Sequence, residues 1–276
     1  MTYSRPSPKM QRSHGAALVS LVMQAGRVRL TDLAQSGSAK VILPHHGAGL
    51  DQRPEVVFLN TSGGLTGGDS LSYQITVGEN MRATATTQSA ERAYKSLSGV
   101  AKVTVTANVG AKGWLDWLPQ ETILFQSSAL HRKTRIDLAA DAGCLIVETI
   151  VLGRAAMGER VTSLVLQDRR EVWRQGRPVV IDPFGLNDAC LTDRAALLGG
   201  AKAMASIAFV DPAAQDALGP VRDVLDEPGV TGAASGWDGR LTLRLMAQDG
   251  WPLRRQILRV LTVLRSGQAA PRVWQI

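Results

Sequence analysis

The sequence contains few of the residues that mark secreted, membrane-spanning or nucleic-acid-stacking proteins. Cysteine occurs only twice in 276 residues, at Cys144 and Cys190, so the chain carries no disulfide framework and suits a reducing compartment. Aromatic residues make up 5% of the chain, too few for the stacking surface of an RNA-binding sheet. No apolar run approaches the roughly 20 residues that cross a bilayer, and residues 1–11 lack the apolar core of a signal peptide. We therefore expect a cytoplasmic protein that binds neither nucleic acid nor a membrane.

Acidic residues are outnumbered, with 24 Asp and Glu against 31 Lys and Arg, which gives a net charge of +7. This excess favours acidic partners, and a nucleic-acid binder is the rival that a steep salt dependence of binding would identify. The basic residues are spread along the chain, apart from Arg254, Arg255 and Arg259 and a second group within residues 131–135. The pattern predicts a solvated basic surface, with docking of an acidic partner as the alternative.

Period-two alternation dominates the sequence and indicates strands. In residues 71–77 and 102–109 apolar and polar side chains alternate, and both segments are rich in β-branched residues. Short breaks that contain glycine separate such segments. They predict a mainly β protein of layered or stacked antiparallel sheets with a few helices. The predicted strands are 56–60, 71–77, 82–87, 102–109, 113–117, 134–138, 144–152, 161–173, 178–181, 201–210 and 240–246.

Two segments carry helix signals. Pro252 opens an amphipathic C-terminal helix that runs to about Arg265, with apolar residues at helical spacing along one face. A second helix over residues 213–225 follows Asp211 and Pro212, with an interruption at residues 219–220. We expect a single domain over residues 1–276, in which residues 1–12 are disordered and residues 229–239 form a flexible connection.

The most glycine-dense stretch is residues 60–69, NTSGGLTGGD. Successive backbone N–H groups in such a loop could cradle an anion, but the lysine and final Ser/Thr of a P-loop are missing. The loop also lies between two predicted strands, whereas a phosphate site favours a helix after the loop. The segment therefore predicts a structural turn, in which glycines supply positive φ and Asp69 or Thr66 binds backbone groups.

Catalytic and metal-binding patterns are weak. The sequence has no Gly-x-Ser-x-Gly elbow, and neither cysteine has a histidine beside it. His45 and His46 could offer imidazole nitrogens to a borderline ion such as Ni²⁺. Adjacent residues of a strand point to opposite sides, so we expect at most a weak surface contact from this pair.

Glu148 interrupts the most hydrophobic predicted strand, residues 144–152. If both faces of that strand are covered, an ionised carboxylate there needs a partner or a water-filled cavity. Arg154, Glu159 and Arg160 follow closely, so an internal Glu–Arg pair that holds a turn is one interpretation. A polar lining for a passage or a partner contact is the other.

Five segments in order resemble the UreD (also called UreH) family of urease accessory proteins. The loop at 60–69 is similar to that family's NTAGGLTGGD, and residues 86–96, TTQSAERAYKS, are similar to TTQAAERIYRS. Residues 117–125, WLPQETILF, and residues 153–159, GRAAMGE, resemble two further family segments, and residues 271–274, PRVW, fit the usual ending. Ser62 and Ala93 differ from the residues that are commoner in the family at these positions. Residues 207–239 contain few recognisable family motifs.

The resemblance implies a β-rich, non-enzymatic urease maturation factor. Family members act with UreF and UreG on the urease apoprotein, and UreG hydrolyses GTP. Nickel is in transit in such a complex, with an internal passage as the proposed route and no permanently bound cofactor. Candidates for passage or partner contact lie within the matching motifs: Asp69, Glu91, Arg92, Glu121, Glu148, Arg154 and Glu159. The alternative is a layered-β hydrolase that uses Glu121, Glu148 or Asp69 as acid or base.

Overall fold

Two stacked β-sheets carry most of the protein in the computed structural model, which describes residues 11–44, 53–192 and 197–275. Sheet A has seven strands, β1 (His14–Gln24), β2 (Arg27–Gly37), β5 (Ser70–Val77), β8 (Ala101–Val109), β11 (Ser128–Leu138), β13 (Leu164–Arg174) and β14 (Arg177–Leu186). Sheet B has ten, β3 (Ala39–Ile42), β4 (Glu55–Asn60), β6 (Arg82–Thr87), β7 (Glu91–Ala93), β9 (Trp114–Leu118), β10 (Thr122–Leu124), β12 (Gly143–Leu152), β15 (Ala203–Val210), β16 (Val230–Trp237) and β17 (Arg240–Ala247). The mainly β class and the stacking of sheets confirm the sequence prediction.

The direction of pairing in the centre of both sheets differs from the antiparallel arrangement that we expected. Strands β1, β5, β8, β11 and β13 pair in parallel in sheet A, as do β4, β6, β9 and β12 in sheet B. Short turns at residues 78–81, 110–113 and 139–142 carry the chain from sheet A to sheet B instead of back along the same sheet. Successive strands of one sheet therefore run in the same direction, as in a solenoid. Antiparallel pairs are confined to the ends, at β1–β2, β3–β4, β13–β14 and β12–β15–β17–β16.

The main core lies between the two sheets. Alternate residues of sheet A, such as Ile75 and Ile136, face Phe58 and Ile146 of sheet B, and all four are buried. The rings of Phe58 and Tyr73 join the sheets with their centroids 4.8 Å apart. Because alternate residues point inward, this core explains the period-two pattern of the strands.

A second core lies on the outer face of sheet B. Leu145 and Val147 of β12 pack there with helix α3 (Gly250–Leu264), through residues that include Leu253 and Ile257. Strand β12 is therefore covered on both faces, which explains why its sequence is almost continuously apolar. Burial of Glu148 in that strand follows directly from this arrangement.

Helix α3 confirms the predicted C-terminal helix, although it begins at Gly250 and not at Pro252. Asp249 accepts a hydrogen bond from the Trp251 backbone N–H at 2.8 Å, and Gly267 adopts a φ of +80° beyond the last turn. The basic side of the helix is largely paired, because Arg255 and Arg259 contact Glu227, and Arg259 also contacts Asp226. These arginines are therefore less available to an acidic partner than the sequence indicated.

The second predicted helix, residues 213–225, is shorter than expected. A 3-10 turn at Ala214–Ala217 precedes α2 (Leu218–Asp223), and the short α1 (Asp188–Thr192) was not predicted. Asp211 accepts the Ala213 N–H at 2.8 Å, as its place before Pro212 indicated. Within the described residues, no helix is long and apolar enough to cross a membrane.

The prediction of a flexible connection at residues 229–239 is wrong. Residues 230–237 form β16, which pairs antiparallel with β17 along its whole length. Glycine, alanine and serine have weak strand propensity, but backbone pairing to a neighbouring strand overrides it. Strands β1 and β2 were also missed. Residues 1–10 lie outside the described ranges, which leaves the prediction of disorder there untested.

Candidate functional site

The glycine-rich segment at residues 60–69 forms a structural turn, as predicted. Gly63, Gly64 and Gly68 have positive φ values, which other residues rarely adopt. Asp69 is buried, and its carboxylate accepts the backbone N–H groups of Ser13 and Thr66 at 2.8 Å each. Asp69 thereby joins the loop to the start of sheet A, and its carboxylate oxygens face inward onto the protein's own backbone.

This loop packs against the second motif, residues 86–96. The Tyr94 hydroxyl donates to the Gly63 carbonyl at 3.1 Å, and the backbone N–H of Leu65 donates to the Arg92 carbonyl at 2.7 Å. A Cβ atom on Gly67 would lie 2.0 Å from the Ser96 Oγ, so the two segments approach more closely than a side chain allows. Arg92 itself is exposed at this end of the sheets.

Arg154 and Glu159 hold together the turn of the fourth motif. The Glu159 carboxylate accepts the Arg154 Nε–H at 2.8 Å and the backbone N–H groups of Arg154 and Gln126 at 3.1 Å. The Arg154 guanidinium also lies 4.7 Å from the centre of the Phe125 ring. Burial alone raises the pKa of Glu159, but the Arg154 side chain and the backbone donors outweigh burial and hold the pKa below its usual value. The pair is a clamp that closes residues 153–159.

Glu148 takes part in a different pair, deep between the sheets. One carboxylate oxygen of Glu148 lies 2.6 Å from Nη1 of Arg132 on β11, in ion-pair contact but not aligned for a hydrogen bond. The other accepts the Trp117 indole N–H at 3.0 Å and the Thr134 hydroxyl at 2.9 Å. The expected internal Glu–Arg pair is therefore present, but the arginine is Arg132 of the facing sheet and not Arg154.

Arg132 connects Glu148 to a second buried carboxylate. Its guanidinium binds Asp168 of β13 in bidentate fashion, at 3.0 and 2.7 Å, and also donates to the Thr122 hydroxyl at 3.1 Å. Burial lowers the pKa of Arg132, but attraction by Asp168 and Glu148 raises it further, so the guanidinium stays charged. Burial raises the pKa of Asp168, but Arg132 together with Arg170 and Arg244 lowers it further, so the pKa lies below its usual value.

From Asp168 a series of ion-paired side chains continues toward the surface. Arg170 lies 3.0 Å from Asp168 and 2.9 Å from Asp182 of β14. Asp182 in turn contacts Arg244 of β17 and accepts the Ser206 hydroxyl at 2.8 Å. Because Arg244 is half-exposed, alternating charges run from the interior to the groove between β14 and β17.

A small cavity of about 40 Å³ lies at the inner end of this series of charged side chains. Glu91 and Glu148 line it from sheet B, and the other polar residues around it include Tyr73, Thr122 and Arg132. Glu91 accepts hydrogen bonds from the Asn60 amide at 3.2 Å and the Arg92 backbone N–H at 3.0 Å. Burial raises the pKa of Glu91 despite these bonds, and burial together with the Glu91 charge raises the pKa of Tyr73. The cavity is thus small, partly open and lined mostly by apolar side chains, with two carboxylates at its border.

The three carboxylates of the hydrolase alternative do not form one site. Asp69 binds the backbone N–H groups of Ser13 and Thr66, and Glu148 binds Arg132 between the sheets. Glu121 lies near the C-terminal helix, 3.7 Å from Arg254. Acid–base catalysis needs groups that converge on one reacting bond, and these three carboxylates contact three separate sets of partners.

Sequence reasoning missed Arg132 and Asp168, although period two carries a signal for both. Arg132 has the same parity as Leu130 and Ile136 in β11, and Asp168 has the same parity as Leu166 in β13. Charged residues on an apolar face of a strand indicate a buried polar pair, by the same logic that singled out Glu148.

His45 and His46 lie outside the described residues, so their predicted metal contact stays a prediction. Among residues 11–44, 53–192 and 197–275, no group of three or more His, Cys, Asp or Glu side chains is placed to hold a metal ion.

Known proteins are similar to this chain over almost its whole length. The family model described as UreD urease accessory protein matches residues 13–275. A urease accessory protein UreD from Cereibacter sphaeroides is 59% identical over 272 residues, which cover 98% of each chain. The corresponding protein of Paracoccus denitrificans is 54% identical over 97% of this chain and 94% of its own length. That of Rhizobium leguminosarum bv. viciae is 41% identical over the full length of both chains.

Proposed function

This chain belongs to the UreD family of urease accessory proteins, and on that premise we propose that it is a scaffold through which nickel reaches the urease active site. Membership makes it a urease-maturation factor and not an enzyme. In the proposed assembly it acts with UreF and UreG on the urease apoprotein. Nickel is the cargo of this assembly and no cofactor is held permanently.

The observation that carries the proposal is the small cavity bordered by Glu91 and Glu148. A volume of about 40 Å³ holds roughly three water molecules, since one water needs about 10–15 Å³ of such space. An ion with a complete octahedral water shell does not fit, so oxygen atoms of the protein would replace part of that shell. Carboxylate and hydroxyl oxygens are suitable temporary ligands for Ni²⁺.

Arg132 controls whether a cation can occupy the cavity. Its guanidinium lies 2.6 Å from Glu148 and stays charged, so it repels a cation that enters the cavity. Glu148 can bind the cation only when its ion pair with Arg132 loosens. Arg132 keeps its bidentate contact with Asp168, which offers the guanidinium a second partner while Glu148 is occupied.

The remaining motif candidates divide by position between partner contact and structural support. Arg92 and Arg154 are exposed at one end of the sheets, near the exposed apolar side chains of Leu97 and Met157. We assign this end of the molecule to partner contact. Asp69 and Glu159 support the loops there, because their carboxylates bind backbone N–H groups.

The experiment uses cells that express urease with all accessory proteins, in which this chain is deleted or replaced by variants. Deletion should give nickel-poor, inactive urease, as measured by nickel content per active site. Glu91→Gln and Glu148→Gln should each lower the nickel content while the chain stays folded and bound to UreF. Glu79→Gln, at an exposed turn, is the matched control and should leave nickel content unchanged.

Two results would count against the proposal at different levels. Normal nickel content after deletion would remove the maturation role itself. Normal nickel content in both cavity variants would leave that role intact but exclude the cavity as the route. Insoluble Glu148→Gln protein would indicate a structural ion pair, in which case Glu91→Gln decides the question.

A further inference from the structure

The outer face of sheet A is a second surface with a specific chemical character. Helices α2 and α3 pack on sheet B, whereas the outward residues Lys102, Lys133 and Arg169 of sheet A are exposed. They belong to a shallow basin of about 540 Å³ on this face. We call it the basic basin, and its outward-facing residues are Lys102, Thr104, His131, Lys133, Gln167 and Arg169.

The parallel register brings these residues together from segments far apart in sequence. Lys102 pairs with His131, and His131 pairs with Gln167. Lys133 pairs with Arg169 in the next outward row. Neighbouring strands lie about 4.8 Å apart, so the three cations form one compact cluster.

The shape of the basin follows from the adjoining edge strand. Pro183 and Gly185 of β14 continue the same two rows, opposite Arg169 and Gln167. A glycine has no side chain and a proline has a short, closed one. The rows therefore drop in height toward this edge, which leaves space beside the long basic side chains.

The charges on this face do not cancel. Lys133, Arg135 and Arg169 all contact Glu171, and Arg135 also binds Asp137. Together with Lys102, these residues make four cations against two carboxylates around the basin, an excess of two positive charges. Lys133 and Arg169 keep about half of their side-chain surface exposed, so they can contact a further anion.

We propose that the basic basin is a docking surface for a carboxylate-rich patch on a partner protein. The inference rests on the proposed scaffold role, because that role supplies the partners used to test it. Complementary charge steers encounter and fixes orientation, and several pairs together contribute more than any single exposed pair.

The layout favours an acidic protein over a nucleic acid. A duplex presents a long line of phosphates, and proteins that bind it use basic residues along a track. Here the cations form one compact group, and Glu171 and Asp137 lie at its border, where they would repel a continuing phosphate line. A local cluster of carboxylates meets no such obstacle.

The test measures binding of the full chain to purified UreF, UreG and urease apoprotein separately, with a short DNA duplex as a fourth probe. The variant Lys102→Gln/Lys133→Gln/Arg169→Gln removes the cations without placing new carboxylates beside Glu171. We expect it to bind one protein probe roughly tenfold more weakly or worse at about 0.05 M salt. This difference should shrink at about 0.5 M salt, where charges are screened within a few ångströms.

The matched control is Arg27→Gln/Arg29→Gln/Arg177→Gln, which removes three exposed charges elsewhere on sheet A. The control should bind as the unaltered chain does, and an equal loss in both triple variants would overturn the proposal as an effect of net charge. Unchanged binding of every protein probe by the basin variant would also overturn it, as would loss of DNA binding alone. The nickel content of urease after deletion of the chain decides the scaffold role independently, so the two ideas can fail separately.

Discussion

Replacing Arg132 by methionine removes the cation that lies between two buried carboxylates. Asp168 keeps Arg170 at 3.0 Å, but Glu148 is left with only the neutral donors Trp117 and Thr134. Breaking a buried ion pair from one side costs about 3–5 kcal/mol. This is a large share of the roughly 5–15 kcal/mol by which a folded domain is stable. We expect the Tm of Arg132→Met to fall by about 10 °C.

The assay is urea unfolding followed by tryptophan fluorescence, at pH 8 and at about pH 3, below the unfolded-state pKa of about 3.9 for an aspartate. Asp168 has a lowered pKa in the folded chain, so its ion pairs stabilise the fold above the unfolded-state pKa and stop doing so as pH falls through the folded-state value. The deficit of Arg132→Met should therefore be smaller in acid, where the unaltered chain also loses the ion pairs of Asp168. Arg135→Met, on the outward side of the same strand, is the control, and its urea midpoint should stay close to that of the unaltered chain because exposed ion pairs contribute little.

A double-variant cycle separates the ion pair from simple loss of packing. Arg132→Met/Glu148→Leu should be more stable than the sum of the two single losses predicts, because it strands neither charge, with a coupling of about 1–3 kcal/mol. A loss below about 1 kcal/mol in Arg132→Met, or additive losses in the cycle, would refute the view that the pair is strongly coupled.

Two further predictions concern the motif segments. Gly67→Ala should destabilise the fold by about 1–3 kcal/mol in thermal melts, because its Cβ would lie 2.2 Å from the Ser98 carbonyl oxygen. In the control Gly219→Ala the new Cβ meets no atom within 4 Å, so this variant should be neutral or stabilising. If both alanine variants melt alike, the close approach is not a constraint. The pKa of Glu91 is raised in the folded chain, so its ionised form lowers the stability of the fold above that pKa. Glu91→Gln should therefore be more stable than the unaltered chain at pH 7–8. The difference should vanish as pH falls toward 4.5. Equal urea midpoints at pH 8 would contradict a burial penalty at Glu91.

Local features of the fold could be predicted because they depend on residues near one another in sequence. Residues 82–87 alternate as a strand should, and they form β6 with those bounds. Pro252 indicates the first turn of α3, because proline fits there without loss of a hydrogen bond within the helix. Residues 229–239 failed the same reasoning, because β16 is held by β17 and not by its own propensity.

The candidate site could be predicted only in part. Glu148 was conspicuous because a carboxylate in an apolar strand needs a partner, and Asp69 because turns use such side chains. The identity of the partner of Glu148 depends on which strand of sheet A faces β12. Arg154 was nearer in sequence, but it lies at the exposed end of the sheets and binds Glu159 instead.

The sequence by itself determined the family, the alternating faces of the strands and the position of the amphipathic helix α3. These follow from ordered motifs and from periods of 2 and 3.6 residues, which are properties of a chain segment alone. The tertiary structure decided the parallel pairing, the cavity between Glu91 and Glu148, and the basic basin. Each of these depends on how the chain alternates between two sheets, which brings together side chains that lie many residues apart. Contacts at that separation are set by the packing of the whole fold, and a periodic pattern contains no record of them.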